Sequence, residues 1–106
     1  MIITFEKVYL QELYEKGKAS EKKHRYQPDI VKRYKDCINL MKRTVDTNAL
    51  KKFKGLNFES LKGDRAGYFS VRVNDKYRIE FTVKQTEIEP KIEICNIAEL
   101  SNHYKK

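Results

Sequence analysis

The side chains in this sequence that can do chemistry are cationic and aromatic: Lys62, Arg65, Tyr68, Arg72 and Arg78 in one stretch, and His103 and Tyr104 at the far end. Guanidinium forks suit phosphate oxygens, which they engage in paired hydrogen bonds. Histidine changes charge near neutrality, and a tyrosine ring can stack on a base or give a proton. Cleavage of RNA at a 2′-hydroxyl needs few further parts. Positive charge must meet the phosphate oxygens as negative charge grows on them, and protons must leave the 2′-oxygen and reach the 5′-oxygen. Arg72, Arg78 and Lys62 fit the first role; His103, with Tyr104 or Tyr68, fits the second. Each has a plainer reading: Tyr68 as edge packing, His103 as a frayed tail residue, Lys62 as a solvated loop residue. The set gains weight only where the fold makes its members converge.

Other chemistries lack their motifs. There is no glycine-rich phosphate loop, zinc motif or Ser/His/Asp arrangement, and Lys62-Gly63-Asp64 lacks the upstream glycine spacing of a phosphate loop. Cys37 and Cys95 lie far apart in unrelated patterns, without metal-ligand spacing or a disulfide framework. Both are expected to pack as small hydrophobes in a reducing cytoplasm. His24 lies in a polar connector, where a lone histidine is more often solvent-exposed than catalytic.

The element that must position the arginines is a β-hairpin. Phe69, Val71 and Val73 alternate with Tyr68, Ser70 and Arg72, and Tyr77, Ile79, Phe81 and Val83 alternate with Arg78, Glu80 and Thr82. Period-2 patterning of this kind marks half-buried strands. If both apolar sets face one core, a slip of one residue would send a whole apolar face into water. A loop of Asn74-Asp75-Lys76 gives the required parity, pairing Val73 with Tyr77, Val71 with Ile79 and Phe69 with Phe81. Loops of this length commonly place a residue in the left-handed region, which Asn and Asp tolerate. The same register sets Arg72 opposite Arg78, Ser70 opposite Glu80 and Tyr68 opposite Thr82. Like charges directly opposite cost up to ~1 kcal/mol, so the arginines either splay into solvent or share an anionic ligand, with Glu80 as partial compensation.

Around the hairpin, Ile2, Ile3 and Phe5 read as a first strand. A helix over Val8 to Lys16 follows, with Val8, Leu10, Leu13 and Tyr14 apolar and Gly17 as its stop. Residues 18–27 form a charged connector. Pro28-Asp29 opens a longer helix with an apolar stripe of Ile30, Val31, Tyr34, Cys37, Ile38, Met41 and Val45. Asp46 or Thr47 caps a short turn ended by Gly55. After a turn near Glu87 to Pro90, Lys91 to Ile97 gives another strand with Ile92 and Ile94 inward, and residues 98–106 form a tail. Helices first and antiparallel strands afterwards predict an α+β fold, two N-terminal helices packed on a small antiparallel sheet, in a single domain spanning residues 1–106. Hydrophobic content of 40% and charged content of 36% fit one small core with a charged surface. No apolar run reaches membrane-span length, and no secretory signal is visible. A net charge of +8 and a pI near 9.5 point to nucleic acid, an acidic protein partner, or both, against the alternative of a basic surface without a partner.

Residues 61–81, Leu-Lys-Gly-Asp-Arg-Ala-Gly-Tyr-Phe-Ser-Val-Arg-Val-Asn-Asp-Lys-Tyr-Arg-Ile-Glu-Phe, resemble the "LKGD…GYWS(I/V)RVN…YRI.F" block of HigB-type toxins in the RelE/ParE superfamily of bacterial toxin–antitoxin systems. The order of elements is similar along the whole chain. The resemblance implies a RelE-like fold and a ribosome-dependent endoribonuclease that cuts mRNA in the decoding site without metal or cofactor. It also implies a helix-turn-helix antitoxin of the HigA type encoded next door. By the same resemblance Arg78 matches the arginine of "YRI" as a phosphate stabiliser, Arg72 the basic residue of the preceding strand, and Lys62 the loop lysine. Many relatives end in Asp-Tyr-His where this chain has Ser101-Asn102-His103-Tyr104. Many also carry a histidine just before the block, where this chain has Asn57-Phe58-Glu59, which leaves His103 as the acid/base. ParE-type members share the fold yet inhibit DNA gyrase without cutting RNA, so fold alone does not fix activity.

Overall fold

The computed structural model describes residues 1–102. The elements run β1 (Ile2–Phe5), α1 (Val8–Lys16), α2 (Pro28–Arg43), α3 (Thr47–Leu50), β2 (Glu59–Ser60), β3 (Phe69–Arg72), β4 (Tyr77–Gln85) and β5 (Glu93–Asn102). Single 3-10 turns lie at Lys22–His24, Lys54–Leu56 and Gly63–Arg65. This is an α+β fold. The strands form one sheet in the order β1-β5-β4-β3-β2, with the buried residues of α1 and α2 clustered against its apolar face. The sheet is mixed rather than wholly antiparallel: β1 lies parallel to β5, with Ile2 opposite Ile94 and Phe5 opposite Ile97. Parallel neighbours require a long crossover, and nearly the whole chain separates these two.

The hairpin adopts the register that its alternation demands, with Phe69 opposite Phe81, Ser70 opposite Glu80, Val71 opposite Ile79 and Arg72 opposite Arg78. Val71, Ile79 and Phe81 are fully buried. The loop closes differently from expectation. The Asn74 side-chain carbonyl accepts the backbone N–H groups of Lys76 and Tyr77, at 2.8 Å each. This Asx bonding replaces a left-handed residue. Among the described residues, Asn57 is the one non-glycine with positive φ, at 47°.

The helices keep most of the expected stripes. Ile30, Val31, Tyr34, Cys37, Ile38 and Met41 are buried on α2, but Val45 is exposed. The helix ends at Arg43, and the Thr44 hydroxyl donates to the Leu40 carbonyl at 2.6 Å. In α1 the inward positions are Tyr9, Leu10 and Leu13, with Val8 exposed at the helix start. The Tyr34 hydroxyl donates to the Leu10 carbonyl at 2.8 Å, joining the two helices in the core. Asp46 caps α3, its carboxylate accepting the Ala49 N–H at 2.8 Å. Replacing Asp46 with Ala is expected to cost about 1 kcal/mol. Urea denaturation should show a lowered midpoint at constant slope, and an unshifted midpoint would contradict the cap.

β5 differs most from expectation. It continues to Asn102 instead of giving way to a tail at residue 98. Its inward residues are Cys95 and Ile97, both fully buried, while Ile92 is exposed. Apolar residues occupy both parities of this segment, so alternation alone cannot choose a face. Its neighbours choose: Cys95 lies between Ile3 and Val83, and Ile97 between Phe5 and Phe81. A bulge follows. Glu80 lies opposite Glu99 but Phe81 opposite Ile97, so Ala98 is the extra residue. Inserting one residue reverses the alternation. Leu100 can therefore be buried, and Glu99 comes up beside Glu80 on the other face.

Cys37 and Cys95 are free and buried, and burial pushes both thiols up to about 11. The thiolate is the reactive form. At pH 8 neither is expected to react with an aromatic disulfide reagent until the chain unfolds; rapid reaction in the native protein would contradict this packing. Among the described residues no helix is long and apolar enough to cross a membrane.

Candidate active site

The face of the sheet opposite the helices carries the polar chemistry. Cross-strand partners share a face, and the register sets Glu59, Ser70, Glu80 and Glu99 in one row across four strands. The next row places Arg78 between Arg72 and Ser101. Carboxylates and guanidiniums are thus interleaved on one surface.

Arg78 is the fixed point. Its side chain is only 5% exposed, and Glu59, 3.7 Å from Nη2, is 46% exposed. Arg78 Nε donates to the Ser70 hydroxyl at 2.9 Å and Nη2 to the Asn57 carbonyl at 2.7 Å. Those neutral acceptors orient the guanidinium without neutralising it, and Glu59 offers it a nearby countercharge. A cation held this way has its direction fixed by the fold. Glu59 is the site residue that reasoning from sequence missed. The available signal was its place just ahead of the Leu61–Phe81 block, where the resembling family has a histidine.

Arg65 is committed to the carboxylate row. Nε and Nη2 donate to one oxygen of Glu80 at 3.1 and 2.6 Å, and Glu99 lies 4.0 Å away. Its guanidinium also lies over the Tyr68 ring, 3.9 Å from the centroid. Desolvation opposes the charge on Arg65, but the hydrogen bond and charge of Glu80, together with Tyr68 and Glu99, outweigh it and raise the pKa. Tyr68 and the Gly63–Arg65 turn are therefore anchored to β4 through this ion pair.

The family model for HigB-like toxins, described as the RelE-like toxin of the type II toxin–antitoxin system HigB, matches residues 3–99. The chain belongs to this family. It is also similar to a solved structure, the YoeB/ParE toxin from Agrobacterium tumefaciens, with 26% identity and a TM-score of 0.61 over 98% of this chain and 100% of that one. No curated protein matches it. Membership of a type II system implies a cognate antitoxin partner.

The remaining site residues of this HigB-like chain fall in different places. The Arg72 side chain bonds Asp75 in the hairpin loop and lines a cleft of about 610 Å³ with Lys32, Arg33 and Asp36 of α2. It thus has partners separate from those of Arg78, despite their direct cross-strand pairing. Lys62 is exposed just ahead of the Gly63–Arg65 turn. His103 and Tyr104 lie outside the described residues; the described part of β5 ends with Asn102 opposite Tyr77. His24, expected in solvent, stacks on Tyr9 with ring centroids 3.7 Å apart and planes 5° from parallel. The Tyr9 hydroxyl in turn accepts the Leu100 N–H at 3.4 Å, on the β5 edge beyond the end of β1.

Proposed function

We propose that this toxin is an endoribonuclease that cuts mRNA on the ribosome and so arrests translation. One observation carries the reading: a half-exposed carboxylate, Glu59, sits 3.7 Å from a buried and oriented guanidinium, Arg78. In this mechanism Glu59 accepts the proton of the 2′-hydroxyl, whose oxygen attacks the adjacent phosphorus. Arg78 stabilises the charge that develops on the phosphate oxygens through the Nη2 edge beside Glu59. The bond to the 5′-oxygen breaks, and that oxygen takes a proton from His103 or Tyr104, leaving a 2′,3′-cyclic phosphate and a free 5′-hydroxyl. Lys62, Arg65 and Tyr68 flank the site as RNA contacts, and Arg72 meets a neighbouring phosphate from the hairpin end. These steps need no metal or cofactor. The site operates in the cytoplasm, where a HigA-like helix-turn-helix antitoxin restrains it.

A second reading, a gyrase-inhibiting toxin without nuclease activity, draws on the burial of Arg78, because a guanidinium so fully engaged also serves as a structural bolt. Primer-extension mapping after induction separates the two. Discrete cuts within translated codons are expected; intact transcripts with a DNA-damage response would overturn the nuclease in favour of gyrase.

A further inference from the structure

We infer that the groove beside α3 is a binding platform for single-stranded messenger RNA, centred on Phe53. This inference rests on the RNA reading of the site and adds to it the place where a nucleotide flanking the scissile one is held. The sequence Lys51-Lys52-Phe53-Lys54 puts one aromatic among three cations, and all four side chains are exposed. Phe53 itself is 45% exposed, although Leu50 and Leu56 on either side of it are buried. Its backbone is fixed in that position: Phe53 N–H donates to the Leu50 carbonyl at 3.1 Å, and its carbonyl accepts the Leu56 N–H at 3.0 Å.

The groove holds about 500 Å³ and is lined by Lys51, Lys54, Asn57, Phe58 and Phe69 as well as Phe53, with no carboxylate in its lining. Lys51 Nζ lies 5.4 Å from the Phe58 ring centroid, so that ring already carries a cation, whereas Phe53 is held out to solvent. Asn57 joins the groove to the site described above, because its carbonyl holds Arg78 Nη2. Lysines beside an exposed aromatic, with no acid among them, form the pattern that binds single strands: the base stacks and the phosphates meet the cations. Bases within a duplex do not offer the free ring face that Phe53 requires. An acidic protein segment would satisfy the lysines but would have no specific use for the ring.

The test uses the toxin carrying Glu59→Gln, which is expected to consume its ligand about 10²–10⁴-fold more slowly, and a 5′-fluorescein hexaribonucleotide followed by anisotropy. Phe53→Ala is expected to weaken binding by roughly tenfold or more with the same dependence on salt, and Phe53→Tyr to restore it. Lys51→Ala with Lys54→Ala should flatten the plot of log K against log salt, by about 0.7 for each phosphate that is no longer neutralised. Unchanged affinity in Phe53→Ala would overturn the platform, as would equal binding of a hairpin duplex. If Phe53→Ala binds RNA like its parent but escapes neutralisation by the antitoxin, the groove is a protein-docking surface and the proposal fails. Binding to purified ribosomes separates two sources of single-stranded RNA. Dependence on Phe53 is expected only when messenger is loaded, and equal dependence on empty ribosomes would overturn the messenger assignment. A parent that binds the hexamer through Phe53 yet cuts no transcript would uphold the platform while overturning the nuclease, so the two claims fail separately.

Discussion

Arg78→Ala is expected to slow transcript cleavage by about 10²–10³-fold, the loss typical of removing one preorganised electrostatic stabiliser, and to abolish growth arrest. The same substitution should weaken the fold. Ser70 is buried and its hydroxyl accepts from Arg78, as does the Asn57 carbonyl. Removing the donor to a buried acceptor costs about 1–3 kcal/mol, so thermal melts must accompany the kinetics and rates must be referred to folded protein. Arg78→Lys sharpens the comparison, because it keeps the charge but loses the planar fork that reaches two acceptors at once. It should remain folded and fail to restore cleavage. A folded Arg78→Ala protein that cleaves at the parent rate would remove Arg78 from the mechanism.

Glu59→Gln should separate chemistry from stability more cleanly. Glu59 is 46% exposed but gives buried Arg78 its countercharge at 3.7 Å, so its amide is expected to lower the melting temperature modestly while the chain stays folded, and rates are again referred to folded protein. As a general base its removal should cost about 10²–10⁴-fold in rate. Because the carboxylate acts on the proton being transferred rather than on bound RNA, the loss should fall on kcat and leave KM near the parent value. A loss confined to KM would make Glu59 a binding residue and move the proton transfer elsewhere.

What could be read from sequence follows from where the information lies. The hairpin register was legible because two apolar faces leave one parity that buries both, and Val71, Ile79 and Phe81 are buried accordingly. The site was only half legible. Alternation put Arg78 on the correct face, but its burial depends on Asn57 and Ser70, whose approach is a matter of tertiary structure. Glu59 went unnoticed because β2 is only Glu59–Ser60, too short to show a period. Arg72 and Arg78 looked like a pair because sequence reports backbone register, whereas side-chain partners decide where charge goes; Arg72 turned to Asp75. The face of β5 was illegible for a different reason. Ile92, Ile94, Cys95 and Ile97 serve either parity, and only β1 and β4 on each side resolve it.

The extra residue at Ala98 works as a phase shifter. Upstream of it, odd-numbered positions point to the core, and downstream even-numbered ones do, so the strand carries two messages in opposite phase. Ala98 is only 4% exposed, so a larger side chain there would overpack its surroundings. Deleting Ala98 would join Ile97 directly to Glu99 in a regular ladder, with Glu99 still opposite Glu80 and Leu100 still opposite Ile79, so both halves of the strand would keep their faces. The bulge is therefore a place where the strand can lose one residue and stay in phase, whereas a deletion between Glu93 and Cys95, where no extra residue is set aside, would turn an apolar face toward water.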